Sequence, residues 1–263
     1  MEEERLSKNN RIIKDLRKNI RKNNSNLFVV DDLSIIELIL SEKINIRELF
    51  YCDELITKES TKEILRKIKS NCGQTYLVSK ETFLSLATKE NAPGILITLT
   101  DLEIDKDNID ISKYNRILVT DRIEIPGNLG TIYRTAAATG FDLVINVDPV
   151  TNISHTKCIH SSRGMIFKIP TISCSYDFAQ KLFNGSEIEP FLGEPDEGEN
   201  CFVKDFPKRL ALVVGNERFG INELWYKNPH QKIFVPMHGT MNSLNVGVAT
   251  SILMYQIAKN DFQ

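Results

Sequence analysis

The side chains best suited to chemistry in this sequence sit in three polar, glycine-bearing stretches, each following an apolar run. Asn128 and Arg134 belong to the stretch from Pro126 to Ala136, Glu217 lies between Gly215 and Gly220, and Ser243 and Asn245 end a stretch that opens at Pro236-Met237-His238-Gly239. A guanidinium such as Arg134 is a permanently charged, planar donor suited to holding a phosphate. Glu217 has the chemistry of a base, a metal ligand or an organiser of loop hydrogen bonds. It has no companion Asp/His cluster, which argues against a metal. Ser243 and Asn245, two residues apart before an apolar run, are good N-caps, a role compatible with ligand contact. Gly127 and Gly130 suit a tight turn or an anion cradle at a helix N-terminus. Neither GxGxxG nor GxxxxGK[ST] is present, so no conventional dinucleotide or P-loop site is read here.

Apolar strands lead into these stretches. Arg116-Ile117-Leu118-Val119-Thr120, Leu143 to Val147, Pro190-Phe191-Leu192, Leu210 to Val214 and Lys232 to Val235 read as strands, with helices near 128–139, 155–162, 176–183 and 245–259. That alternation predicts an α/β domain with a mainly parallel sheet over 116–263, whose ligands bind outside the carboxyl ends of the strands. Upstream, strands at 27–30, 48–51, 75–78 and 94–99 alternate with helices at 34–40, 60–69 and 81–87, predicting a smaller α/β domain within 1–105. The acidic, polar segment between them gives a linker at 106–115.

The formal net charge is only −2, yet Arg5, Lys8, Arg11, Lys14, Arg17, Lys18, Arg21 and Lys22 crowd into one segment with a single acid, Asp15. On a helix over 5–22 they form a broad cationic surface, with Leu6, Ile13, Leu16 and Ile20 as a narrow apolar side; taken alone the run reads as a solvated helix packed on its own domain, and contact with RNA phosphates is the alternative. At 263 residues, 41% hydrophobic and 26% charged, the chain reads as globular. No apolar run approaches the ~20 residues of a membrane span, and the charged start at 1–5 is unlike a secretory signal. Five scattered cysteines without CxxC or paired-His spacing suggest neither zinc nor disulfides, and point to a reducing cytoplasm.

Taken together and in order, the three stretches resemble the SpoU (TrmH-like) branch of the SPOUT RNA methyltransferases. Asn128/Gly130/Arg134-Thr135-Ala136 matches its Asn-x-Gly…Arg-Thr-Ala element, and Gly215-Asn216-Glu217-Arg218-Phe219-Gly220 its Gly-x-Glu-x-x-Gly element. Val235-Pro236-Met237-His238-Gly239 with Ser243-Leu244-Asn245-Val246 matches the third, Val235 replacing Ile. The resemblance covers roughly 116–260. The segment from Ser162-Arg163-Gly164 to Pro170 also looks like these enzymes, and the first domain is similar to a small RNA-binding domain shared with certain ribosomal proteins.

The resemblance implies a deep trefoil knot, bound S-adenosylmethionine, a homodimer formed through the C-terminal domain, and methyl transfer to a ribose 2′-hydroxyl of RNA; the residues themselves point to no metal. It assigns Arg134, Asn128, Glu217, Ser243 and Asn245 to catalysis; family mechanisms sometimes make this arginine the general base, whereas the permanent charge of a guanidinium favours a positioner of the substrate phosphate and 2′-hydroxyl. It assigns the cofactor to Leu192, Gly193, Gly215, Asn216, Glu217, Gly220, Ile233, Pro236, Met237, Ser243 and Leu244. RNA contact falls to the basic run together with Arg134 and Arg163. The two-domain layout resembles rRNA enzymes more than compact tRNA ones. The run from Gly127 to Gly164 also looks like the rRNA enzymes that confer thiopeptide antibiotic resistance. A tRNA 2′-O-methyltransferase, a non-catalytic RNA-binding protein and a nucleotide-dependent oxidoreductase are the alternatives.

Overall fold

The computed structural model describes residues 4–22, 26–100, 102–239 and 243–262. The charged start at 1–3, residue 101 at the head of the acidic segment and 240–242 in the third polar stretch lie outside the described residues. The chain forms two compact units, Met1–Leu102 with Ser154–His160, and Glu103–Ile153 with Ser161–Gln263.

In the first unit, strands β1 (Glu4–Leu6), β2 (Phe28–Val30), β3 (Ile46–Tyr51), β4 (Cys72–Val78) and β5 (Ile95–Leu99) form one sheet in the order β1-β4-β3-β5-β2. β1, β4 and β3 run parallel, and β5 is antiparallel to both β3 and β2. Helices α1 (Arg11–Lys22), α2 (Leu33–Ser41), α3 (Glu59–Asn71) and α4 (Lys80–Leu84) connect them. The alternation expected from 27 to 99 is present. The basic helix is shorter than expected, because Arg5 lies in a strand and Lys8 in the following turn. Leu6 pairs with Val78 and is buried in the same core as Ile13, Leu16 and Phe83. The Asn10 side chain accepts from Ile12 N at 2.9 Å, opening α1 at Arg11 rather than at Arg5.

In the second unit, seven strands lie in the order β10-β12-β9-β11-β6-β7-β8, and each pairing is parallel. They are β6 (Arg116–Asp121), β7 (Leu143–Val147), β8 (Thr171–Cys174), β9 (Glu189–Glu194), β10 (Glu199–Asn200), β11 (Leu210–Val214) and β12 (Gln231–Phe234). The helices are α5 (Pro126–Ala138), α6 (Thr156–Ser161), α7 (Tyr176–Phe183) and α8 (Val246–Ile257), of which α6 lies almost wholly in the segment grouped with the first unit. β7 and β11 are buried throughout, as Val/Ile/Leu strands covered on both faces must be.

The expected linker at 106–115 is instead part of this unit. Its two short 3-10 turns, Lys106–Asn108 and Ile111–Lys113, lay Ile109, Ile111 and Tyr114 against the sheet's core. Burying those spaced apolar side chains outweighs the solubility of their acidic neighbours. Among the described residues no helix is long and apolar enough to cross a membrane.

Candidate active site

Four neighbouring strands, β12, β9, β11 and β6, send their carboxyl ends into one cleft of about 530 Å³, a volume suited to a small organic ligand. Asn128 enters it after β6, Gly193 and Glu194 at the end of β9, Gly215 to Arg218 after β11, and Met237 after β12. Ser243, Leu244 and Asn245 close it on the way into α8.

A hydrogen-bond chain joins the three polar stretches. α5 has no side-chain cap of its own at Ile125. The Glu217 carboxylate supplies one from the second stretch, accepting from Glu124 N at 2.9 Å through Oε2 and from Ile125 N at 3.1 Å through Oε1. Oε1 also accepts from Asn128 Nδ2 at 2.9 Å. Asn128 Oδ1 in turn accepts from Asn245 Nδ2 at 3.1 Å, while Asn245 Oδ1 caps α8 by accepting from Gly247 N and Val248 N. A negative charge at the N-terminus of α5 also meets the favourable end of that helix's dipole. Burial pulls the Glu217 carboxyl upward, but the bonds from Glu124 N, Asn128 and Ile125 N outweigh it and hold its pKa below the ordinary value. A carboxylate so engaged is a fixed acceptor, poorly suited to taking up a proton.

The second stretch is itself rigid. Asn216 Oδ1 accepts from Arg218 N at 2.8 Å and Phe219 N at 3.1 Å, and Asn216 Nδ2 donates to Arg122 O at 2.8 Å. Asn216 and Gly220 exchange backbone hydrogen bonds of 3.0 Å in both directions. A Cβ on Gly215 would stand 2.3 Å from Gly220 C and Ile221 N, so only glycine permits this closure. At the end of β6 the buried Asp121 carboxylate accepts from Asn222 N at 2.6 Å and Arg122 Nε at 3.0 Å, anchoring the far side of the loop. Burial pushes its pKa up.

Of the residues singled out in the sequence, Asn128, Gly193, Gly215, Asn216, Glu217, Gly220, Met237, Ser243, Leu244 and Asn245 line this cleft. Leu192 and Ile233 do not; they are fully buried in β9 and β12 as the sheet beneath it. Pro236 is half-buried and outside the lining, although Val235 and Met237 on either side are in it. Arg134 is exposed on α5 and also outside the lining. α5 starts at Pro126, and six residues at about 100° each carry Arg134 about 240° around the helix from Asn128. Arg163, exposed at φ 53° before Gly164, stands apart from the cleft lining too.

In the basic run, Lys14, Arg17, Lys18, Arg21 and Lys22 lie at i, i+3, i+4, i+7 and i+8 of α1 and line one shallow hollow. Lys8 is paired with Glu81, and Arg11 with Asp15 at 3.7 Å. Arg17 Nη2 donates to Ser85 Oγ at 2.7 Å.

Sequence reasoning missed Glu194, which lines the cleft and accepts from Tyr226 OH. Its signal is available, since it ends β9 immediately after Gly193, at the strand's carboxyl end where ligands are expected. Gly193 leaves little room for a side chain, because a Cβ there would press within 3.0 Å of Leu253 Cδ1.

A parallel sheet whose strand ends carry interlocked loops around a small-molecule cleft defines an α/β enzyme that binds its ligand at the strand ends. Residues 115–255 match the SpoU rRNA Methylase family, and the chain belongs to that family. It is 25% identical over 233 residues to the 23S rRNA (guanosine(2553)-2′-O)-methyltransferase RlmP of Bacillus subtilis, covering 89% of both chains. It is 24% identical over 241 residues to the 23S rRNA (uridine(2479)-2′-O)-methyltransferase of Streptomyces viridochromogenes, covering 88% of this chain and 82% of that one. The fold is shared with the AdoMet-bound rRNA methyltransferase of Sinorhizobium meliloti, with a TM-score of 0.86 at 20% identity over 98% of each chain.

Proposed function

We propose that the protein is an S-adenosylmethionine-dependent methyltransferase that modifies a ribose 2′-hydroxyl of large-subunit ribosomal RNA. The observation that carries this reading is the bonded chain Glu217–Asn128–Asn245, which fixes the three polar stretches of a SpoU-family chain around one cleft. The relatives named for 23S rRNA 2′-O-methylation match the chain along most of its length and support the substrate class. A cytoplasmic site of action and a deep trefoil knot in the second unit belong to the same reading.

The cleft fits the cofactor chemically. Leu244, Val246 and Leu253 give it an apolar wall suited to an adenine ring, and Glu194 and Asn216 bring polar groups for hydroxyl or ammonium partners. Gly193 and Gly215 keep its backbone free of side chains. S-adenosylmethionine, when bound, supplies a methyl group already activated by its sulfonium. The protein then has to align the ribose oxygen and assist loss of its proton, and alignment alone contributes on the order of 7–11 kcal/mol in well-oriented systems. Glu217 is committed to its hydrogen bonds and is not the base. Arg134 is permanently cationic and positions the substrate phosphate and ribose, with an adjacent phosphate oxygen helping to receive the proton.

Because Arg134 stands outside the cleft of its own chain, we assign it to the cleft of a second copy in a homodimer. Val248 and Tyr255, seven residues apart on α8, are half exposed and share a helix face that a second copy would cover. The α1 cations and Arg163 serve RNA phosphates.

The test is transfer of labelled methyl from S-adenosylmethionine to purified rRNA and tRNA, with the products mapped by resistance of 2′-O-methylated linkages to alkali. Label confined to large-subunit rRNA is the expected result. Label in tRNA alone would replace the substrate assignment, and failure to bind S-adenosylmethionine by calorimetry would remove the enzymatic reading altogether.

A further inference from the structure

We infer that Phe219 is a stacking platform for a nucleobase of the acceptor RNA at the rim of the cleft, with the Arg218 guanidinium beside it. The inference rests on the methyltransferase reading and adds how the RNA strand is held at the site. Phe219 is 73% exposed, unusual for a phenyl ring. Its exposure does not come from a loose loop. Its own N–H is bound to Asn216 Oδ1, the Asn216–Gly220 backbone pair closes the turn around it, and the backbone of Gly220 and Ile221 packs directly against Gly215, where no Cβ would fit. The ring is therefore held in solvent on a rigid support, which lowers the ordering cost of any partner it meets.

Its two neighbours in sequence, Arg218 and Gly220, line the cleft, which sets the ring at the mouth. The Arg218 side chain is 77% exposed and reaches Glu124 only at 3.7 Å, an exposed ion pair of small worth that leaves the guanidinium available. Ile125, half exposed, also lines the cleft.

An exposed aromatic ring with a cationic residue next to it in the chain matches an unstacked nucleobase and its phosphate, since every base presents a π-face whatever its sequence. A second copy of the chain is a poorer partner for this ring. The apolar surface suited to it lies on α8, where Val248 and Tyr255 share a face and Tyr255 stacks with Phe262 at 5.7 Å. Phe219 instead lies in a polar loop, with no ring partner among the described residues.

The experiment compares Phe219→Ala, Phe219→Leu and Phe219→Trp in the full chain. It measures KM and kcat with rRNA, S-adenosylmethionine affinity by calorimetry, and solution mass by light scattering. Stacking predicts that Ala and Leu each raise the RNA KM on the order of 10-fold, that Trp restores it, and that cofactor affinity and mass do not move. It also predicts that the indole fluorescence added by Phe219→Trp is quenched when short single-stranded RNA is supplied. A Leu variant as good as wild type would reduce the ring to a plain apolar contact and overturn the inference. A change of mass in the Ala variant would make it a contact between copies, with the same consequence. Wild-type protein that transfers methyl to rRNA, alongside an Ala variant with unaltered KM, would sink this inference alone. Wild-type protein with no transfer, and no quenching in the Trp variant, would sink both it and the reading beneath it.

Discussion

At Glu217 two carboxylate oxygens accept three hydrogen bonds, two from the backbone that opens α5 and one from Asn128. Glu217→Gln keeps the shape but turns one acceptor into a donor facing N–H groups, and removes the charge at the helix start. Because the side chain is partly solvated, the expected loss is about 1–2 kcal/mol, below the full range for charged hydrogen bonds. A thermal melt should show it as a lowered Tm, with weaker S-adenosylmethionine binding because Asn128 and Asn245 lose their anchor.

The depressed Glu217 pKa also fixes a pH dependence. Its stabilisation is fully present above the unfolded value of about 4.3 and is lost as pH falls through the lower folded value. Wild type should therefore lose stability more steeply than Glu217→Gln below about pH 4. Parallel acid limbs in urea titrations would mean that the carboxylate bears no such load.

Among the elements, α1 makes its charge a matter of periodicity. Lys14, Lys18 and Lys22 fall at successive i+4 positions on the hollow's face, and unlike Arg17 each is exposed. Replacing all three by alanine preserves helix propensity. If each meets one phosphate, the slope of log K against log[salt] for rRNA should fall by about 2, near 0.7 per contact on single strands. Cofactor affinity should be unchanged, and an unaltered salt slope would return α1 to being a solvated helix.

The beginning of α1 was hidden in the sequence, because a three-residue strand at a sheet edge exists only through its pairing with β4. β8 was hidden for the same reason, its four residues secured by pairing such as Ile145 with Ile172. By contrast β6, β7 and β11 are legible as continuous apolar runs, because both faces of each are covered. The loops of the cleft were legible from their glycines and polar caps. One fact needed the folded chain: that Glu217 caps α5 from another stretch, whereas the turn of about 240° between Asn128 and Arg134 already follows from any helix over 128–139.

At the scale of the whole molecule, one chain gathers the three polar stretches around the cleft but leaves the exposed Arg134 guanidinium outside its lining. If two copies related by a two-fold exchange Arg134, complementation follows from symmetry. Arg134→Ala leaves each cleft intact but without its guanidinium. Gly215→Ala ruins the cleft, since its Cβ would collide with Gly220 and Ile221 backbone, yet retains the Arg134 side chain about two turns into α5. Each homodimer alone should be inactive. In an equal co-expression about half the dimers are mixed, and each mixed dimer pairs one intact cleft with the Arg134 of the other copy. Activity should then return to about a quarter of wild type per site. If Arg134 served its own cleft, no subunit of the mixture would hold both parts and activity would stay absent. Turnover by the Arg134→Ala homodimer itself would remove the arginine from the reaction. Isolating the mixed dimer with two affinity tags before the assay makes these outcomes distinct.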